Sequence, residues 1–200
     1  MPSSSQIARS KALQQRTGRT FHLATRLLPP RVRDGTYVLY GFFRIADDIV
    51  DTTDDVEPAT QRSRLESLRE QALGRAPADD PVLAAFDELR AEYDIPDLEV
   101  DLFIDAMQSD IEHEPVAEYA DLQSYMRGSA VAVANMMLEI MEPEQPEVAR
   151  PHAAALAEAF QLTNFLRDVR EDIQQCDRVY LPAETRERFG VTVDQLAAGK

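Results

Sequence analysis

The sequence contains no tryptophan and a single cysteine, Cys176. One thiol excludes a framework of intramolecular disulfides and a zinc site made only of cysteines. The three histidines, His22, His113 and His152, lie far apart along the chain and show no metal-ligand spacing. Zinc-type chemistry is therefore not indicated.

Lysine is almost absent, because Lys11 and Lys200 are the only two among 21 basic residues. With 36 acidic residues the formal net charge is −15. This balance argues against a general nucleic-acid binder, since phosphate backbones require clustered Lys and Arg. It is typical of a halophile's surface, where carboxylates keep the protein hydrated, or of an ordinary acidic protein from a GC-rich genome.

Long apolar runs are missing as well. The longest uncharged run, residues 128–138, is about half of the ~20 residues that a membrane span needs. Residues 1–19 have no apolar signal-peptide core. The sequence shows no basic patch that would draw a chain of this charge to anionic lipid. These features predict a cytoplasmic protein that makes peripheral contact with the inner face of the membrane.

Strand alternation and hairpin-turn signals are absent, whereas helical patterns occupy most of the chain. With 200 residues, 44% of them hydrophobic, we expect a single all-α domain spanning residues 1–200, with a flexible N-terminus at 1–16. A polar break is expected at 51–58. The predicted helices cover residues 20–28, 32–50, 59–73, 81–93, 98–112, 121–141, 148–174 and 191–198.

Two of these helices combine an apolar body with aspartates at one end. Residues 36–46 carry one charge, Arg44, before the acidic run that includes Asp47 and Asp51. These two aspartates are four residues apart and therefore share one helix face, and Tyr40 lies on the same stripe. A helix that is apolar all round is buried, so this pattern predicts carboxylates at the edge of a core.

The helix at 148–174 repeats the design, since Glu158 is the only charge between residues 153 and 166. If the two helices face each other, four carboxylates meet near one cavity, which is costly unless cations neutralise them. Oxygen ligands suit Mg²⁺, or Mn²⁺, which bridges to substrate phosphates. Ion pairs with neighbouring arginines are the alternative explanation. The polar stripe of this helix, with spacings of 3, 4 and 4, is Gln161, Asn164, Asp168 and Asp172.

The same aspartate spacing recurs at Asp97, Asp101 and Asp105 without an apolar body, and there it predicts a solvated face. Near the two apolar helices, guanidinium groups match the geometry of diphosphate oxygens, and the candidates are Arg44, Arg167 and Arg178. A cavity for a carbocation needs aromatic walls. Its candidates, for each of which core packing is the simpler explanation, are Phe21, Tyr40, Phe43, Phe160 and Phe165.

Two blocks resemble conserved blocks of the phytoene and squalene synthases. Residues 21–51, FHLATRLLPPRVRDGTYVLYGFFRIADDIVD, resemble the first, and residues 161–182, QLTNFLRDVREDIQQCDRVYLP, resemble the second. Residues 105–110 and 125–133 resemble the middle segments more loosely, so the resemblance covers nearly all of 17–185. It implies the trans-isoprenoid synthase fold, apparently lacking its last C-terminal helices, because the family continues well past the second block.

The resemblance implies Mg²⁺-dependent head-to-head condensation of two prenyl diphosphates through a cyclopropylcarbinyl diphosphate. The motif RLLPP and residues 37–51 are most similar to the family's phytoene synthases. These join two geranylgeranyl diphosphates, release diphosphate without a nicotinamide cofactor, and begin carotenoid biosynthesis. The alternatives are a squalene or hydroxysqualene synthase using farnesyl diphosphate, a non-catalytic member that binds prenyl diphosphates, and a structural helical protein with fortuitous acidic stripes.

The resemblance also implies residue roles. Metal ligands would be Asp47, Asp48, Asp51, Asn164, Asp168 and Asp172. Substrate contacts would be Thr20, Phe21, Tyr40, Arg44, Gln161, Asn164, Arg167, Arg178 and Tyr180. Catalysis would rest on Asp47, Asp51, Asp168 and Asp172, with Tyr40 and Arg44. Asp110 matches a further acidic position of the family. Four residues depart from the family's pattern and leave the length of the prenyl substrate open: Met126, Val131, Ala134 and Arg170. Oligomeric state is not predicted.

Overall fold

A computed structural model describes residues 2–51 and 56–199. Within these ranges the chain is helical and contains no strand, which confirms the all-α prediction. The expected polar break at 51–58 lies largely outside the described residues. The helices are α1 Ser4–Thr17, α2 Arg19–Thr25, α3 Pro30–Asp51, α4 Pro58–Ala72, α5 Pro81–Glu92, α6 Asp97–Ser109, α7 Tyr119–Met126, a π-helical turn Arg127–Val131, α8 Ala132–Met141, α9 Pro146–Cys176, α10 Ala183–Arg188 and α11 Val193–Ala197.

The N-terminal residues form a packed helix, so the expectation of a flexible segment at 1–16 is wrong. Ser3 caps α1 by accepting the amide of Gln6, whose side chain accepts the amide of Ser3 in return. Ser10 and Gln14 are completely buried where α1 packs on α3 and α5. The sequence pattern concealed this face because its buried residues are polar and satisfied by hydrogen bonds, such as that from Gln14 to Thr25 at 3.2 Å.

Helix α3 is the centre of the core and contacts α1, α4, α5, α6 and α8. The ring of Phe42 is fully buried and stacks on Phe86, with centroids 4.0 Å apart. Phe43 packs against Phe103 at 4.8 Å, so core packing is the correct explanation for this aromatic residue. The core therefore holds α3 rigidly and fixes the direction of its acidic C-terminal end.

The helix predicted at 121–141 is interrupted by the π-helical turn between α7 and α8. A Cβ added at Gly128 would lie 2.3 Å from the carbonyl oxygen of Leu102, so α6 and the π turn approach as closely as their backbones allow. The buried Glu99 accepts two hydrogen bonds from Arg127, at 2.8 and 3.0 Å, and one from Asn135 at 2.9 Å. A short glycine contact and a buried ion pair thus stabilise the irregular turn.

Helix α9 begins with proline at its first position, where the missing amide costs nothing. It packs on α8, the π turn and α11, and Phe165 is its one buried residue. It ends before Asp177, which adopts the left-handed conformation with φ of 53°. In the ranges that the structure describes, no helix is both long enough and apolar enough to cross a bilayer.

Candidate active site

The acidic ends of α3 and α9 meet at one cleft of about 1530 Å³. Both predicted helices thus deliver their polar stripes to the same space, as the sequence pattern requires if the two helices face each other. The predicted site residues that line the cleft are Arg44, Asp47, Asp51, Gln161, Asn164, Arg167, Asp168, Asp172, Arg178 and Tyr180.

The three aspartates at the end of α3 do not all point into the cleft. Asp47 is half-buried and lines the cleft with Asp51, whereas Asp48 is exposed, outside the cleft lining, and accepts a hydrogen bond from Arg44. Burial, reinforced by the charge of Asp51, raises the pKa of Asp47 to about 7. The side chain of Gln61 donates to the carbonyls of Ile49 and Val50 at 2.9 and 3.0 Å and so anchors this helix end to α4.

The acidic pair of α9 has two different environments. Arg167 donates two hydrogen bonds to Asp168, at 2.7 and 2.5 Å, and these bonds lower the pKa of Asp168. Burial, reinforced by the neighbouring Asp168, raises the pKa of Asp172 to about 6, although Arg178 opposes that shift. Asp172 is therefore the carboxyl of this pair that lacks full compensation.

Arg178 connects the two acidic ends. Its amide donates to the carbonyl of Asp172 at 3.1 Å, which places the residue directly after the last turn of α9. Its guanidinium lies 3.7 Å from the carboxylate of Asp51, with 13% of the side chain exposed. Part of the negative charge of the cleft is thus balanced by arginine, as the ion-pair alternative predicted. In the described part of the chain, Asp47 and Asp172 form no ion pair within 4.0 Å.

A second cluster lies on the same cleft wall and surrounds Asp110, which is buried. The hydroxyls of Tyr125 and Tyr180 donate to its two oxygens at 2.6 and 2.9 Å. Burial raises the pKa of Asp110, against the effect of these bonds and of Arg178. His113 accepts a hydrogen bond from the amide of Val179 at 3.2 Å. Sequence reasoning missed His113 and Tyr125 as cleft residues, because they lie on a loop and on α7 with no acidic pattern to mark them.

The structure does not bring every predicted site residue to the cleft lining. Thr20, Phe21 and Tyr40 are not among the described lining residues. Tyr40 reaches the rim indirectly, with its hydroxyl 3.0 Å from that of Thr17, which lines the cleft, and its ring 6.2 Å from that of Phe21.

Of the two aromatic candidates on α9, one lines the cleft and the other does not. Phe165 lines the cleft and stacks on Tyr180 with centroids 4.5 Å apart, whereas Phe160 is 63% exposed and outside the described lining. Asp97, Asp101 and Asp105 lie away from the cleft and pair with arginines, including a 2.5 Å contact between Asp105 and Arg69. This confirms the solvated-face interpretation of that third repeat.

The donor set of the cleft fits a hard divalent cation. Most of the side chains that the described acidic ends of α3 and α9 present to the cleft are carboxylates and amides, and two of the carboxyls are partly desolvated without an ion-pair partner among the described residues. Among residues 2–51 and 56–199 no three acidic, histidine or cysteine side chains form a preassembled metal cluster.

Comparisons with known proteins agree with this architecture. The family model for squalene/phytoene synthase matches residues 14–200. The phytoene synthase of Cereibacter sphaeroides is 33% identical over 194 residues, covering 92% of this chain and 54% of that protein. The phytoene synthase of Mycobacterium tuberculosis is 29% identical over 182 residues, covering 91% and 59%.

Among solved structures, a dehydrosqualene synthase in complex with a ligand superposes with a TM-score of 0.85 at 30% identity, covering 96% of this chain and 66% of that one. A squalene synthase from Alicyclobacillus acidocaldarius shares the fold, with a TM-score of 0.82 at 23% identity over 97% and 72%. The fold and the cleft are thus those of an all-helical isoprenoid synthase. The chain belongs to the squalene/phytoene synthase family, and it spans just over half the length of the curated relatives above.

Proposed function

We propose that the chain acts as a phytoene synthase, a prenyltransferase that joins two geranylgeranyl diphosphates head to head and releases diphosphate. The observation that carries the proposal is the single cleft in which the aspartates of α3 and α9 converge with arginines between them. Relatives named phytoene synthase at 29–33% identity support the choice of product.

Mg²⁺ is the proposed cofactor, and when bound it supplies a Lewis acid that neutralises the leaving diphosphate. Asp47 and Asp51 would hold it at one end of the cleft. Asp168 and Asp172, with the amide oxygen of Asn164, would hold it at the other. Asp48 is not proposed as a direct ligand in this arrangement, because its side chain is exposed and is not among the described residues that line the cleft.

The arginines of the cleft would bind and orient the diphosphates. Arg178 is mostly buried between the acidic ends, and Arg44 and Arg167 line the same space. A guanidinium fork matches two phosphate oxygens, so these side chains are suited to exchange a carboxylate partner for substrate. Binding of a diphosphate would release Arg167 from Asp168 and leave that carboxylate free for the cation.

The aromatic wall would shelter the reacting carbons. One substrate would lose its diphosphate, the double bond of the second would attack the resulting allylic cation, and loss of a proton would close the ring of the cyclopropylcarbinyl diphosphate. That intermediate would lose its own diphosphate, rearrange, and lose a second proton to give the linear hydrocarbon. Phe165 and Tyr180 line the cleft, and the ring surface that their mutual stack leaves open would stabilise positive charge and exclude water. Tyr125 adds a third ring, 5.3 Å from Tyr180.

A shorter substrate, farnesyl diphosphate, is the second candidate. It is favoured by the likeness to a dehydrosqualene synthase and by a presqualene diphosphate synthase from Rhodopseudomonas palustris, 33% identical over 180 residues. Met126 and Val131, two departures from the family pattern, are both buried, and Met126 packs in the same cluster as the cleft residues Phe165 and Tyr180.

The deciding experiment incubates the chain with geranylgeranyl diphosphate and Mg²⁺ without a nicotinamide, and identifies the extracted hydrocarbon by mass spectrometry. A C40 product that EDTA abolishes is the expected result. A C30 product from farnesyl diphosphate, with or without NADPH, would replace the first proposal by the second. Calorimetric titration with Mg²⁺ and inorganic diphosphate gives a separate readout, and loss of this binding in Asp168→Asn is expected. Binding without a product would favour a non-catalytic member that binds prenyl diphosphates. Absence of both product and binding would favour a structural helical protein.

A further inference from the structure

Three arginines line the cleft, but they do not balance its carboxylates in the same way. Arg44 and Arg167 each donate hydrogen bonds to an aspartate of their own helix. Arg178 lies directly after the last turn of α9 and reaches instead across the cleft to Asp51, at the end of α3. Of the three, Arg178 is thus the side chain that connects the two acidic helix ends.

The contact between Arg178 and Asp51 is an ion pair without a hydrogen bond. The guanidinium nitrogen and the carboxylate oxygen are 3.7 Å apart, beyond the range in which an N–H group donates to a carboxylate. The guanidinium is a fork of N–H donors, and within residues 2–51 and 56–199 none of them donates a hydrogen bond to protein. A donor fork that is mostly buried and unpaired is suited to receive an anion.

The charge of Arg178 acts on more than one carboxyl. Burial raises the pKa of Asp110, which directly follows α6, and that of Asp172, and in both cases Arg178 opposes the rise. Together with Asp51, carboxyls from the ends of three helices therefore face one guanidinium. One positive charge does not compensate three carboxylates, so the cleft keeps an excess of negative charge that a further cation relieves.

The backbone of Arg178 is fixed, whereas its side chain is only loosely held. Its amide donates to the carbonyl of Asp172 at 3.1 Å, and the next amide, that of Val179, donates to His113 at 3.2 Å. The side chain has no comparable bond, because it reaches Asp51 by charge alone. The guanidinium can therefore leave Asp51 without moving the backbone, and it remains within reach of the cleft when it does.

We propose that Arg178 is the internal counter-ion of the cleft and couples the binding of two ligands, because its guanidinium gives up Asp51 to a divalent cation and then binds the diphosphate that accompanies the cation. This inference rests on the proposed function, since it takes Mg²⁺ as the cation and diphosphate as the anion. It adds that Arg178 competes with the cation, which a residue that only binds substrate does not do.

The competition follows from the charges at Asp51. A guanidinium and a divalent cation on the same carboxylate repel each other at the few ångströms that separate them. Diphosphate removes this conflict, because its oxygens match the guanidinium fork and offer Arg178 a new partner. Each ligand then raises the affinity of the other by the same factor, as linked binding equilibria require.

Three roles for Arg178 differ in what its removal does to the binding of Mg²⁺ alone. A counter-ion that competes with the cation weakens this binding, so Arg178→Gln should strengthen it. A residue that only binds diphosphate leaves the binding of Mg²⁺ alone unchanged. A residue that only holds the helix ends together would, when removed, weaken both this binding and the fold.

The test is calorimetric titration of the whole chain in three series: Mg²⁺ alone, inorganic diphosphate with EDTA, and inorganic diphosphate in excess Mg²⁺. Arg178→Gln removes the charge and the fork, whereas Arg178→Lys keeps the charge. The matched control is Arg170→Gln, because Arg170 is exposed on α9 between Asp168 and Asp172 and is not among the described residues that line the cleft. Thermal unfolding shows whether each variant is folded.

We expect Arg178→Gln to bind Mg²⁺ alone about tenfold more tightly, and Arg178→Lys and Arg170→Gln to stay within about twofold of the unmodified chain. The factor by which Mg²⁺ raises the affinity for diphosphate should fall about tenfold in Arg178→Gln and about threefold in Arg178→Lys, since an ammonium group lacks the fork. If Arg178→Gln does not fold, the coupling factor of Arg178→Lys decides.

Unchanged or weaker binding of Mg²⁺ alone in Arg178→Gln, or an equal gain in Arg170→Gln, would overturn the inference and leave the proposed function standing. An unchanged coupling factor in the Arg178 variants would do the same. If neither the unmodified chain nor any variant binds Mg²⁺, with or without diphosphate, the proposed metal site fails and the inference fails with it.

Discussion

At the scale of single residues, neighbouring side chains of one motif have different environments. Asp47 and Asp48 are adjacent in sequence, yet one is half-buried in the cleft and the other is exposed and bonded to Arg44. The difference follows from helical geometry, because successive residues point about 100° apart. The spacing of four between Asp47 and Asp51, and not the density of aspartates, is what identifies the functional face.

Replacing Asp172 should separate function from stability. Asp172 is partly desolvated beside Asp168, so Asp172→Asn removes like-charge repulsion and should leave the melting temperature unchanged or slightly higher. Affinity for Mg²⁺ with inorganic diphosphate should fall at least about tenfold, because a ligand is lost. Calorimetric titration and thermal unfolding measure the two effects. The matched control is Asp105→Asn, which has the same DxxxD spacing but an ion pair with Arg69; equal losses in both variants would contradict the site assignment.

Cation binding should depend on pH in a defined direction. The pKa of Asp47 is raised to about 7 and that of Asp172 to about 6, so both carboxyls are partly protonated near pH 6. A cation must displace those protons, and affinity for Mg²⁺ should therefore increase from pH 6 to pH 8, by up to about tenfold per proton displaced per pH unit. Titrations in two buffers of different ionisation enthalpy measure the released protons. Equal affinity at both pH values would show that neither carboxyl binds the metal.

At the scale of elements, the loop after α9 depends on a contact from a distant loop. The amide of Val179 donates to His113, whose ring lies edge-on to Tyr180 with centroids 4.9 Å apart. Arg178 and Tyr180 flank that amide, so His113 is a positioning residue for both. The contact joins residues 66 positions apart and lies beyond any local sequence pattern.

Two variants of His113 distinguish its hydrogen bond from its ring. His113→Phe keeps an aromatic ring but cannot accept the amide of Val179, and it should make the bond after Arg178 about fivefold more susceptible to trypsin, which is the effect of one lost hydrogen bond. His113→Gln restores an acceptor and should recover most of the protection. The cleavage rate at that bond, followed by mass spectrometry, is the measurement. If both variants behave like the unmodified chain, the loop does not depend on this contact.

Two neighbouring substitutions in the π turn should change the stability of the fold in opposite directions. In Gly128→Ala the new methyl group would meet the Leu102 carbonyl at 2.3 Å, so the free energy of unfolding should fall by about 1–3 kcal/mol. In Ser129→Ala, one position on, a buried hydroxyl without a hydrogen-bond partner is removed, so stability should stay constant or increase. Urea denaturation of both variants checks the difference. A neutral Gly128→Ala would mean that α6 can move away from the turn.

The outcome of the sequence predictions follows from the kind of signal each element provides. Helices α3 and α9 were predicted within a few residues because an apolar body with polar ends is a strong local pattern. The π turn was missed because its cause is a contact between Gly128 and α6, which no local pattern encodes. Helix α1 was missed because its buried face uses Ser10 and Gln14 in place of apolar residues.

At the scale of the whole molecule, two charge effects compete. Surface ion pairs such as Arg62 with Glu112 stabilise the fold, but each contributes at most about 1 kcal/mol and is weakened by salt. The excess of 36 acidic over 21 basic residues produces a repulsion that acts across the whole surface. This repulsion does not depend on any particular pair of side chains. Dissolved salt therefore weakens it over the whole surface.

Salt should therefore stabilise this protein. The Debye length falls from about 10 Å at 0.1 M to about 3 Å at 1 M ionic strength, which removes most of the repulsion between acidic residues on different helices. Relief of about 1–2 kcal/mol corresponds to a rise of roughly 2–8 °C in melting temperature for a domain of this size. Scanning calorimetry in 0.1 M and 1 M KCl measures it. A matched scan in sucrose at equal osmolarity controls for preferential exclusion, which is not electrostatic.

A melting temperature that falls with KCl would mean that the ion pairs outweigh the net charge and that the acidic surface is not an adaptation to salt. A rise in KCl that sucrose does not reproduce would support the halophile interpretation, because only electrostatic screening distinguishes the two solutes.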